Sequence, residues 1–111
     1  MRIDVTGDDR VAVVVLVGRI DAYTAPEAET ALAAASADGR HLVVDLSGAD
    51  YISSAGLRVL ITLVKRSRAE AFELRLCGLQ PPVLEVFDIA GFTQLFEIRD
   101  SRDEALAELA A

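Results

Sequence analysis

Residues Val11 to Val17 read Val-Ala-Val-Val-Val-Leu-Val, an unbroken aliphatic run. Successive strand residues point to opposite faces of a sheet, so a strand with no polar alternation must be covered on both sides. The run falls far short of the roughly 20 residues that a membrane-spanning helix needs. His41 to Leu46 is a second buried strand, with Asp45 its polar exception near the end. Strands of this kind need helices above and below them, which predicts an α/β fold with a mixed β-sheet and α-helices packed against it.

The rest of the chain supplies those helices. Ile3 and Val5 mark a short first strand, and Gly7-Asp8-Asp9 a turn. Thr24 and Glu27 have capping-box spacing, with Pro26 in the first turn, and predict a helix to about Ala37. Ser47 to Asp50 reads as a turn and Tyr51-Ile52 as the end of that loop. Leu57, Leu60, Ile61 and Val64 fall at i, i+3, i+4 and i+7, the clearest helical face, with Ser53 or Ser54 available as N-cap. Phe72 to Cys77 predicts a strand, and Val83 to Ala90 a helix stopped by Gly91. Leu95 to Ile98 predicts a last short strand, and Ser101 with Glu104 caps a terminal helix. The predicted order is β-β-α-β-α-β-α-β-α, with parallel crossovers. At 111 residues, one domain over 1–111 is expected.

Charge narrows the function. Eleven Lys and Arg face 18 Asp and Glu, a formal charge of −7, which disfavours a chain built to grip nucleic acid or anionic membrane. The opening residues lack the apolar stretch of a secretory signal, so a cytoplasmic protein is expected. The single cysteine, Cys77, closes an apolar strand and reads as a core thiol, unable to form an internal disulfide or a multi-cysteine zinc site.

Catalytic signatures are sparse. No glycine-rich loop ends in Gly-Lys-Ser/Thr, and Gly7 and Gly18 stand too far apart for a dinucleotide fingerprint. His41 is the sole imidazole and reads as an edge-of-strand residue. A nucleophile elbow would need Gly where Ile52 stands. Asp4, Asp21, Asp45 and Asp50 lie near strand ends, where open α/β sheets commonly bind ligands, but each also reads as a cap or a solvated loop residue. No catalytic residue, cofactor or metal ligand is expected. Ser53-Ser54 is the informative pair: two hydroxyls at the start of the best amphipathic helix. They read equally as an N-cap and as a phosphorylation switch, because free N–H groups and the helix dipole accommodate a phosphate there.

The segment Val43-Val44-Asp45-Leu46-Ser47-Gly48-Ala49-Asp50-Tyr51-Ile52-Ser53-Ser54-Ala55-Gly56-Leu57-Arg58-Val59-Leu60 resembles the bacterial anti-sigma factor antagonists, the single-domain form of the STAS domain. Gly18-Arg19-Ile20-Asp21 and Val86-Phe87-Asp88-Ile89-Ala90-Gly91-Phe92 extend the resemblance over nearly the whole chain. It implies a mixed sheet with helices and a non-enzymatic protein. The unphosphorylated form binds an anti-sigma factor that is also a Ser/Thr kinase, which frees the sigma factor. The kinase then inactivates the antagonist by phosphorylating one serine, and a metal-dependent serine phosphatase restores it. That serine stands two residues before the motif glycine, at Ser54 here. Asp21, Ser53, Gly56, Leu57 and Arg58 are expected around it as the partner-binding surface. The chain departs from the best-studied pattern at position 53, with Ser in place of Asp. The alternative within the family is a non-switching adaptor subunit of a lipid-transport or signalling complex, with Ser54 only a cap and contact. A small-ligand module ranks third. A homodimer is open to such a chain, though no exposed apolar stripe demands one.

Overall fold

The computed structural model describes residues 1–110. The strands are β1 (Arg2–Gly7), β2 (Val11–Ile20), β3 (His41–Asp45), β4 (Ala49–Ile52), β5 (Leu74–Cys77) and β6 (Ile98–Arg99). The helices are α1 (Ala25–Ala35), α2 (Ser54–Glu70), α3 (Pro81–Ala90) and α4 (Arg102–Ala110). The sheet runs β1-β2-β3-β5-β6, with β4 beside the far end of β2. β1 pairs antiparallel with β2, and every other pairing is parallel. Among the described residues no helix is long and apolar enough to cross a membrane.

The aliphatic run lies in β2 and is covered on both faces. Ala12, Val14 and Leu16 join the larger core, which includes Leu32 of α1, Leu60 and Leu63 of α2, and Phe87 of α3. Val11 and Val13 point the other way, with Val43 and Cys77, onto Ala105 and Leu109 of α4. Cys77 is fully buried there, and burial pushes its thiol up to about 11, with the Asp45 charge adding to it. It is the inert core thiol expected.

Three expectations need correcting. Ala49 to Ile52 is a strand rather than turn and loop. Gly18 has a positive φ of 108°, which favours glycine, and the ladder shifts register there, so that Arg19 and Ile20 pair with Tyr51 and Ile52. β2 therefore gives its first half to β3 and its last three residues to β4. The capping box at Thr24 and Glu27 does not form: the N–H groups of Tyr23 and Thr24 donate to Asp21 Oδ1, at 3.0 and 3.2 Å. Thr24 Oγ1 instead bridges the turn, accepting from the Asp21 N–H and donating to the Arg19 carbonyl. Lastly, the final strand is Ile98–Arg99 rather than Leu95–Ile98, because Leu95 to Glu97 form turn and connecting backbone. Asp4, Asp21, Asp45 and Asp50, which read both as a ligand cluster and as separate caps or solvated residues, stay separate. Asp4 pairs with Arg2 on β1, Asp21 shapes the turn after β2, Asp45 lies under α4, and Asp50 is exposed on β4. The Ser101 cap does form, its Oγ accepting from the Glu104 N–H at 3.1 Å.

Asp45 carries the main polar tie across the sheet. Its side chain is 7% exposed, and Oδ2 accepts two bonds from Arg102, at 2.9 and 2.7 Å. Oδ1 accepts from the Ser47 N–H at 2.9 Å. Burial pushes the carboxyl up, but the bonds from Ser47 and Arg102 outweigh it and hold the pKa below its ordinary 3.8. One side chain thus pins α4 and the loop leading into β4.

Two outcomes follow from this packing. A Cβ on Gly56 would stand 2.7 Å from Ile20 Cγ2, 2.8 Å from Ile52 Cγ1 and 2.9 Å from the Ile20 carbonyl oxygen. Overpacking of this kind costs roughly 1–3 kcal/mol, more than the ~1 kcal/mol alanine gains over glycine inside a helix. Gly56→Ala should therefore unfold at lower urea; an equal or higher midpoint would mean a loosely seated helix start. Arg102→Ala leaves Asp45 buried without its cation and should cost about 1–3 kcal/mol at pH 7. Because the Asp45 pKa is lowered by folding, its contribution is present above pH ~4 and lost as pH falls through the folded value. The variant should lose less stability between pH 7 and pH 3 than the parent. Equal losses in both proteins would remove the pair from the acid response.

Candidate functional site

The split pairing of β2 places two loops side by side. Ile20 and Ile52 are register partners, and the residue after Ile52 remains tied to β2: the Ser53 N–H donates to the Ile20 carbonyl at 2.8 Å. The β2–α1 turn and the start of α2 thus emerge together at the carboxyl ends of parallel strands, where the sheet leaves backbone groups free for ligands or partners.

Of the two serines, Ser53 is the cap. Its backbone is extended, with φ −94° and ψ 175°, and its side chain accepts from the Gly56 N–H at 3.3 Å. Its carbonyl takes the Leu57 N–H at 2.9 Å. Ser54 is the first residue of α2 and exposed, and its hydroxyl makes no hydrogen bond among the described residues. The division follows from helix geometry: the capping position turns its side chain back onto the orphan N–H groups, and the next residue points outward. The first turn of α2 carries no acidic side chain, so nothing on its own helix opposes a negative charge at Ser54.

The remaining predicted residues divide by burial. Arg58, one turn beyond Ser54, is exposed. Asp21 is half-buried in the facing turn, 3.6 Å from the Arg19 guanidinium. Burial raises its pKa, but the N–H groups of Thr24 and Tyr23, the Thr24 hydroxyl and Arg19 together hold the carboxyl below its ordinary value. Gly56 and Leu57 lie inside, Leu57 only 6% exposed, so they seat the helix and present almost no surface. Gly56 has the role that only glycine fills here, a close approach of α2 to Ile20 and Ile52.

Sequence reading passed over three neighbours. Tyr23 is 94% exposed at the tip of the β2–α1 turn, Tyr51 is 40% exposed on β4, and the Arg19 guanidinium lies 4.1 Å from the Tyr51 ring centroid. Arg19 and Tyr51 meet only because β4 pairs with β2, a pairing the sequence signalled through Gly18 alone. Exposed tyrosines beside arginine have the composition of interface hot spots. A groove of about 370 Å³ lies between α1 and α2, bordered by Ala22, Pro26, Glu29, Ala55, Arg58 and Thr62. No group of three or more His, Cys, Asp or Glu able to hold a metal occurs among the described residues.

Comparison with known proteins places the chain in a family. The family model for the STAS domain matches residues 2–105. The Bordetella bronchiseptica protein named as an anti-sigma factor antagonist, BtrV, is 41% identical over 108 residues, covering 96% of this chain and 93% of that one. An anti-sigma-B factor antagonist of Listeria monocytogenes is 36% identical over 88 residues, 78% of this chain and 77% of that protein. The crystal structure of an anti-sigma factor antagonist from Mycobacterium paratuberculosis superposes with a TM-score of 0.89 at 29% identity, over 99% of this chain and 94% of that one. With the family model covering residues 2–105 and a relative 41% identical along almost the whole chain, the protein belongs to the STAS domain family, alongside relatives named as anti-sigma factor antagonists.

Proposed function

We propose that this protein is an anti-sigma factor antagonist whose partner is an anti-sigma factor with serine kinase activity, and that phosphorylation of Ser54 switches it off. The observation that carries the reading is the division of labour at the start of α2: Ser53 is spent on the cap, while Ser54 stands exposed with an unengaged hydroxyl. The names of the relatives support the class of partner.

In the unmodified state the partner meets Ser54 and Arg58 on α2 and the Asp21 turn beside them. Ser53, Gly56 and Leu57 contribute by fixing where that surface stands. Asp21 has a positioning role, since its carboxylate is occupied by the N–H groups of its own turn. The kinase transfers the γ-phosphoryl group of its nucleotide to Ser54 Oγ: the new O–P bond forms, the nucleoside diphosphate leaves, and the hydroxyl proton passes to a base of the kinase. This chain supplies an accessible acceptor and no catalytic group. The product carries about 1.5–2 further negative charges on a chain already at −7. A carboxylate-lined partner surface is repelled, while the helix N-terminus tolerates the charge without unfolding. A serine phosphatase hydrolyses the ester and restores the surface. The cycle belongs to the cytoplasm, where sigma factors act, and it does not require a homodimer.

The test is affinity capture of the tagged protein from its own cells, with co-purifying chains identified by mass spectrometry. An anti-sigma kinase should accompany the parent and Ser54→Ala and fall about tenfold or more with Ser54→Asp, a loss of ~1.4 kcal/mol or greater. Transporter or receptor-array subunits, retained equally by Ser54→Asp, would replace this reading with the adaptor. Incubated with the kinase and ATP, Ser53→Ala should still be phosphorylated, with ~1 kcal/mol of stability lost with its cap. Ser54→Ala should take no phosphate, and labelling of that variant would remove Ser54 from its assigned role.

A further inference from the structure

We propose that Arg58 is the intramolecular counter-ion of phosphorylated Ser54, so that the modification withdraws a cation from the contact surface at the moment it adds an anion. The inference rests on the assignment of Ser54 as the modified residue and goes beyond it, because it names a second residue through which the charge change is expressed.

Three features of the helix carry it. Ser54 and Arg58 are both exposed and stand at i and i+4 on α2, where Cβ atoms are about 5–6 Å apart. Helical side chains lean toward the N-terminus, so the Arg58 stem is directed back over the first turn, where Ser54 lies. An anion N-terminal to a cation at this spacing is also the more favourable of the two orders.

Arg58 is free to take the role. It enters none of the ion pairs found among the described residues. Glu29 borders the same groove from α1 but forms no ion pair with it. Arg19, before the β2–α1 turn, is already engaged by Asp21 at 3.6 Å and by the Tyr51 ring. Arg58 and Ala55 also help line the groove between α1 and α2. A guanidinium drawn onto the phosphate leaves that groove with a different rim, and a partner carboxylate that had met Arg58 loses its cation. A planar, permanently charged guanidinium suits phosphate, with two parallel N–H donors.

The experiment uses the full chain with phosphoserine incorporated at position 54 during synthesis, and titrates the phosphate by ³¹P NMR. The second ionisation should occur at lower pH in the Arg58 protein than in Arg58→Gln, by about 0.3 unit or more. Arg58→Lys should retain part of the difference, and 1 M salt should shrink it. Circular dichroism verifies that all three proteins carry the same fold. Equal phosphate titrations in the Arg58 and Arg58→Gln proteins would overturn the proposal. Because the phosphate is installed without a kinase, this result stands apart from the capture experiment: a failed capture undermines the assigned function, and a flat titration undermines only the role of Arg58.

Discussion

β2 has more partners than a single straight strand can serve. Along one edge it holds β1, and along the other it gives Val11–Val15 to β3 and Gly18–Ile20 to β4. The register shift at Gly18 makes the second pairing available, and the site depends on it. Without β4 beside Ile20, the Ser53 N–H would lose the carbonyl that orients it, and Gly56 would lose the two isoleucines it packs against. The buried aliphatic run and the exposed serine are thus two ends of the same strand's pairing scheme.

The electrostatics of the two sheet faces divide in a similar way. Beneath α4, Asp45 is satisfied by Ser47 and Arg102, and its role is structural. At the carboxyl ends of the strands, Asp21 is satisfied by its own turn and Ser53 by the helix it caps, which leaves Ser54 and Arg58 as groups with unspent bonding capacity. A surface built this way takes a phosphate without first breaking an internal interaction. The rigid core below it has no need to move, and the change of state is a change of charge at a fixed address.

Much of this was legible before the structure, and the reasons are physical. Long periodic signals survive reading without coordinates: Leu57, Leu60, Ile61 and Val64 place α2, and the runs at Val11 and His41 place the central strands. Short elements do not. β4 is four residues long and follows a Ser-Gly pair, so its local chemistry says turn, and only the bulge in β2 makes it a strand. Thr24 and Glu27 have the spacing of a capping box, yet Asp21 takes the Thr24 N–H and the Thr24 hydroxyl accepts from the Asp21 N–H, a competition that residue type alone does not decide. Within the site, Asp21, Ser53, Ser54, Gly56, Leu57 and Arg58 were all read to one contact surface; Ser54 and Arg58 are exposed, whereas Gly56 and Leu57 are buried beneath them and Ser53 is engaged by the cap. Tyr23 and the Arg19–Tyr51 contact were missed because exposure and cross-strand neighbours are properties of the fold.

The central claim is that modification at Ser54 changes the surface and leaves the scaffold alone. Its most direct test is a pair of ¹H–¹⁵N spectra, one of the unmodified protein and one of the protein phosphorylated at Ser54. The account predicts shifts confined to the β2–α1 turn and the first two turns of α2, with the amides of Val14, Val44 and Leu76 unmoved. Shifts spread across the central strands and into α4 would contradict it, and would mean that the switch works by reorganising the fold.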